Sequence, residues 1–132
     1  MFDRLRDALS RTRRHPASPD ELDAALSVVV LAMFADRRLA EAEAAEVERW
    51  IAQHDDEIRP LAQRVPTVMA AVRRSLDQDP GGDLLLQDAA GRITHAGLRA
   101  ELPEICRTVV GADRSVAPEE VRLLDRIGQR FV

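Results

Sequence analysis

The chain of 132 residues contains no lysine, no asparagine and no tyrosine, and only one cysteine, one tryptophan and three phenylalanines. The first absences exclude lysine and tyrosine chemistry of every kind. The lone Cys106 excludes an internal disulfide and a cysteine-built zinc cage. Long apolar runs are missing too: the longest, Val28 to Ala35, has 8 residues, far short of a membrane span. The opening residues lack the apolar stretch of a secretory signal, and Asp3 and Asp7 argue against a transit peptide. A cytoplasmic location is the resulting expectation.

What is present points to closely packed helices. Hydrophobic residues make up 45% and charged residues 32%, a balance that supports a globular core in one domain spanning 1–132. The apolar set is dominated by 20 Ala and 15 Leu, which favour helix over sheet. Every one of the 19 basic residues is Arg, and the net charge is −4, which disfavours nucleic acid as a partner. The charge is uneven: residues 1–14 hold five Arg against two Asp, a local +3 that leaves −7 for the remainder. This basic segment places Phe2, Leu5, Leu9 and Thr12 at helical spacing. Two readings stand for it, a first helix docking on the bundle or an amphipathic contact with an anionic membrane surface.

Ser18-Pro19-Asp20-Glu21 reads as a helix start, with Ser18 as cap, Pro19 at the first helical position and Glu21 closing a capping box. Leu22, Ala25, Leu26, Val29, Val30, Met33 and Phe34 then follow the 3.6-residue period, and Val28 and Leu31 widen the stripe until the helix should be nearly surrounded. A further helix is expected from Glu41 to His54. A short one around Ile58–Val65 should be closed by Pro66. Another, carrying Val68, Met69, Val72 and Leu76, should end at Pro80-Gly81-Gly82. Gly91 and Gly97 make residues 84–98 ambiguous. Leu98, Leu102, Ile105, Cys106 and Val109 form the next stripe, with Pro103 inside it or in its first turn. A last helix begins near Pro118 with Val121, Leu124, Ile127 and Phe131 inward. The expected architecture is an all-α bundle of six to eight helices.

Sliding the chain against itself by 77 positions aligns Ala35-Asp36-Arg37 with Ala112-Asp113-Arg114. Glu43 then meets Glu120, Val47 meets Leu124, and Val28, Val29 and Ala32 meet Ile105, Cys106 and Val109. Each copy reads as helix, acidic turn and second helix, in halves of about 20–54 and 98–131. Two pseudosymmetric α-hairpins are the implied arrangement.

With these paired acidic turns the sequence resembles the TerB-like family, the all-helical domain named for tellurite resistance. The family pattern is an Ala-Asp-Gly turn with a helix-opening Glu, in two copies. It maps to Asp36 with Glu43 and to Asp113 with Glu120, with Arg37 and Arg114 standing where the family has Gly. The resemblance implies a bacterial-type stress-response module that binds a divalent cation at those four acids. It also implies a partner near the membrane; the alternative, which does not come from the resemblance, is a cation-independent interaction module, a homodimer or an adaptor that is membrane-peripheral through the basic N-terminal helix.

Four carboxylates suit Ca²⁺ or Mg²⁺, but their spacing is not that of an EF-hand loop. The same residues also serve without an ion. If helices begin after Ala40 and Ala117, Glu43 and Glu120 fall at the third helical position, where a carboxylate satisfies a free backbone N–H. Asp36 and Asp113 can close Asx-turns. His54-Asp55-Asp56-Glu57 has no second His at helical spacing for zinc, and His15 and His95 read as isolated and exposed. Cys106 sits on an apolar stripe as a small buried residue. Pro80-Gly81-Gly82 lacks the Lys of a phosphate loop. The expectation is a protein that is not an enzyme.

Overall fold

The second helix organises the structure, a computed structural model that describes residues 3–35, 59–110 and 118–131. Its start is the capping box read from the sequence: Ser18 Oγ accepts from the Glu21 N–H at 3.2 Å, and the Ser18 N–H donates to Glu21 Oε2 at 3.0 Å. With Pro19 supplying a preset φ at the first position, helix α2 runs over Pro19–Ala35. From Ala24 to Met33 every residue except Ser27 is buried. Ser27 is half-buried and returns its hydroxyl to the Asp23 carbonyl.

Six further helices complete the described structure. These are α1 (Asp3–Arg13), the single turn α3 (Arg59–Ala62), α4 (Val65–Gln78), α5 (Asp83–Arg92), α6 (Ala96–Val110) and α7 (Pro118–Arg130). Helices α1, α4, α5, α6 and α7 all pack directly against α2. The architecture is an all-helical bundle, with no strand among the described residues. No described helix is long and apolar enough to cross a membrane.

Helix α1 docks on α6 and α2, burying Ala8, Leu9 and Thr12. The buried Thr12 hydroxyl is satisfied by the Ala8 carbonyl at 2.8 Å. Of the two readings for the basic segment, this is the docked one. The stripe Leu98, Leu102, Ile105, Cys106 and Val109 is buried along α6, as the period requires. Pro103 lies inside α6, where its ring nitrogen leaves the Arg99 carbonyl without a helical donor from that position.

Two expectations need correction. Pro66 does not close a helix; it stands in the first turn of α4, where its missing N–H costs nothing. Val121 does not face inward. It is 46% exposed, and the buried face of α7 is Leu123, Leu124 and Ile127, continued by Phe131. The expected helix over Glu41–His54 lies outside the described residues. So do both acidic turns and the second helix of the first repeat, and with them the pseudosymmetric pairing.

The Pro80-Gly81-Gly82 turn is built as a corner between α4 and α5. Gly82 has φ +74°, and a Cβ there would stand 3.1 and 3.2 Å from the two Leu31 methyl carbons, so a side chain would both strain the backbone and crowd Leu31. Asp79 caps α5 from outside, its Oδ2 accepting the Leu84 N–H at 2.8 Å. Arg126 of α7 donates to the Gly81 carbonyl and to Asp83 Oδ1, both at 2.8 Å. Arg99 of α6 does similar work at the far end of α5, donating to the Ala90 and Ile93 carbonyls at 2.7 Å while lying over the Phe131 ring.

Candidate functional site

The densest polar cluster among the described residues lies where three ends meet: the end of α1, the start of α2 and the α5–α6 corner. Glu21 is its hub. Besides closing the capping box, its Oε1 accepts from the Thr94 N–H and the Thr94 hydroxyl, each at 2.8 Å, and from the His95 N–H at 2.9 Å. The Ser18 N–H, then the Thr94 hydroxyl and the backbone N–H groups of Thr94 and His95, hold the Glu21 carboxyl down to about 2. One carboxylate therefore fixes the first turn of α2 and ties it to the entry of α6.

Beside it, Arg92 at the end of α5 donates to both carboxylate oxygens of Asp20, and the Arg92 hydrogen bond lowers the Asp20 carboxyl below its ordinary range. Asp23, one turn further along α2, receives a two-pronged bond from Arg64, with Nε at 3.1 Å and Nη2 at 2.9 Å. The exposed start of α2 thus carries three acids, each held by a different later element.

His95 is the N-cap of α6. Its Nδ1 accepts the Leu98 N–H at 3.1 Å, and its carbonyl accepts the Arg99 N–H at 3.0 Å. His15, just beyond α1, pairs through Nε2 with Glu101 Oε2. Arg11 takes the other oxygen of Glu101 at 2.8 Å and reaches the Thr108 hydroxyl at 2.9 Å. Partial burial raises the Glu101 carboxyl, but the bonds from Arg11 and His15 outweigh it and leave the group below its ordinary value. The His15 and His95 rings stand 5.6 Å apart, edge to face at 60°. Gly97 makes room for both: a Cβ there would come within 3.1 Å of His95 Cε1 and 3.2 Å of His15 Nδ1.

The sequence reading of these histidines as isolated and exposed is therefore wrong. The His15 side chain is only 16% exposed, and the two rings are neighbours. A partial signal was there to be read. His95 stands three residues before Leu98, the first residue of a clear apolar stripe, which is the place of an N-cap.

Of the four acids considered for a cation, Asp36, Glu43 and Asp113 lie outside the described residues, as does His54-Asp55-Asp56-Glu57. Glu120 is the third residue of α7 and half-buried, the position expected if the helix begins after Ala117. Among the described residues, no group of three or more His, Cys, Asp or Glu is arranged to hold a metal ion. Cys106 is fully buried, and burial alone pushes its thiol up to about 12.

The fold and the corner define a helical bundle held by directional ties at its helix ends. Comparison with protein-family models, with curated proteins and with solved structures finds no significant match.

Proposed function

We propose that the chain is a non-enzymatic binding or regulatory module of TerB-like kind, engaging a protein partner or a second copy of itself. A divalent cation, Ca²⁺ or Mg²⁺, is its weak accessory ligand at Asp36, Glu43, Asp113 and Glu120. The observation that carries this reading is where the polar chemistry is spent. At the best-developed cluster Glu21 and Arg92 each join one helix end to another, and Arg11 and Glu101 tie the end of α1 to the second turn of α6. The single thiol, raised to about 12, is a packing group and not a nucleophile at neutral pH. The paired acidic turns and their resemblance to the TerB-like family support the cation and the stress-response context. The third-position placement of Glu120 suits a carboxylate that serves its helix end.

Calorimetric titration of chelator-stripped protein with Ca²⁺ and with Mg²⁺ tests the cation. Binding heat accompanied by thermal stabilisation, both lost in Glu43→Ala and Glu120→Ala, is the expected result. No heat at millimolar ion removes the cation. Sedimentation over a range of concentrations, with and without chelator, then tests the module itself. Self-association unaffected by chelator identifies a cation-independent homodimer.

A further inference from the structure

The two histidines at the corner stand in opposite relations to a proton. His95 Nδ1 is the acceptor for the Leu98 N–H, so the neutral ring carries its hydrogen on Nε2. A proton arriving at Nδ1 turns that acceptor into a donor. It also places positive charge at a helix N-terminus, where the dipole opposes it. His15 faces the reverse situation: its Nε2 is already bonded to Glu101, and a proton at Nδ1 completes a charged pair with that carboxylate.

Charged groups of α1, α2, α5 and α6 belong to the same network. From α1 comes Arg11, held on Glu101. From α2 comes Glu21, which accepts the His95 N–H on the backbone side, and Asp20, which is occupied by Arg92 of α5. From α6 come Glu101, engaged with His15, and Arg99, directed at the Ala90 and Ile93 carbonyls. No carboxylate among these bonds the His95 ring, whose partner is the Leu98 N–H and whose ring neighbour is His15.

We infer that His95 is a proton-sensitive latch: acidification removes its capping bond to Leu98 and opens the first turn of α6. That turn carries Gly97, where an added Cβ would stand 3.2 Å from His15 Nδ1, so the opening occurs beside the end of α1. The inference goes beyond the binding-module reading and does not depend on a cation or partner.

Amide hydrogen exchange followed by NMR from pH 8 to pH 5, with each rate referred to its intrinsic value at the same pH, tests it on the full chain. Protection of the Leu98 amide should fall roughly fivefold in the wild type, the worth of a lost N-cap. His95→Asn keeps a good cap that does not titrate and should hold protection level across the range. His15→Gln should retain the fall. A wild type with no fall, a His95→Asn variant that falls equally, or a His15→Gln variant that loses the fall would each overturn the latch. An independent check is the ring nitrogen spectrum at pH 8: a hydrogen on Nε2 of His95 supports it, and one on Nδ1 overturns it.

Discussion

The middle of α2 and its first turn belong to one helix but are held by different physics. From Ala24 to Met33 the helix is closed in by apolar side chains of five other helices, and those contacts have no preferred direction and no dependence on pH. At Asp20, Glu21 and Asp23 the same helix is tied to Arg92, Thr94, His95 and Arg64 by bonds that require particular atoms. The centre supplies most of the stability, and the corner determines which helix end meets which. The comparison breaks most directly at the centre. Leu26→Ala or Ile105→Ala, each fully buried, should cost about 2–5 kcal/mol in urea unfolding, through lost transfer energy and the cavity left behind. That loss should be the same at pH 5 and pH 8. A loss that grows on acidification would mean the two regions are not separable.

The corner should show the opposite behaviour. Glu21 is held at about 2, below its ordinary 4.5, foremost by the Ser18 N–H and then by Thr94 and His95. A carboxyl lowered in the folded state contributes its full stability above about 4.5 and loses it as pH falls toward 2. Wild-type protein should therefore lose thermal stability through that window more steeply than Glu21→Gln, which has no such proton to take up. Thermal midpoints measured from pH 5 to pH 2 make the comparison. Parallel curves for the two proteins would show that the hub contributes nothing to acid stability.

The same division governs what could be read in the sequence. The capping box was legible because Ser18, Pro19 and Glu21 are neighbours. The burial of α2 was legible because its apolar residues fill almost every position. The other half of Glu21's work was not, since Thr94 and His95 lie 73 and 74 residues further on. His15 and Glu101 are 86 apart, and nothing local announces their meeting. Pro66 misled because proline fits equally well just past a helix end and in a first turn. Val121 misled because Leu123 and Leu124 supply an equally good inward register for α7. Of the four acids singled out, only Glu120 falls within the described residues, and its helical position was deduced from local spacing alone.

A smaller effect sharpens the corner itself. Glu101 is shared by Arg11 and His15 at a site that is partly open to solvent. Glu101→Gln keeps the shape and removes the charge, so it should cost only about 1 kcal/mol, within the range of partly exposed ion pairs. The cost should shrink in high salt, because screening weakens the wild-type pair and leaves the amide unaffected. Urea unfolding of both proteins at low and high ionic strength gives the answer. A salt-independent loss would assign Glu101 to packing and not to charge.

The smallest expected difference discriminates best between free surface and a held corner, because it compares the same substitution at two glycines. Gly91 lies in α5 with nothing within 4 Å of an added Cβ, so Gly91→Ala should stabilise by about 0.5–1 kcal/mol through helix propensity and a less disordered unfolded chain. Gly97 lies in the first turn of α6, where the same Cβ would stand 3.1 Å from His95 Cε1 and 3.2 Å from His15 Nδ1. Side-chain tips at such distances ordinarily swing aside. Here one ring is held by the Leu98 N–H and the other by Glu101, so moving either strains a hydrogen bond. Gly97→Ala should therefore forfeit the gain seen at Gly91, ending within about 0.5 kcal/mol of zero or below it. Adding His15→Ala should restore part of that gain by removing one of the two rings. If Gly97→Ala alone stabilises as much as Gly91→Ala, the imidazoles move freely and the corner is not the directional tie described for it.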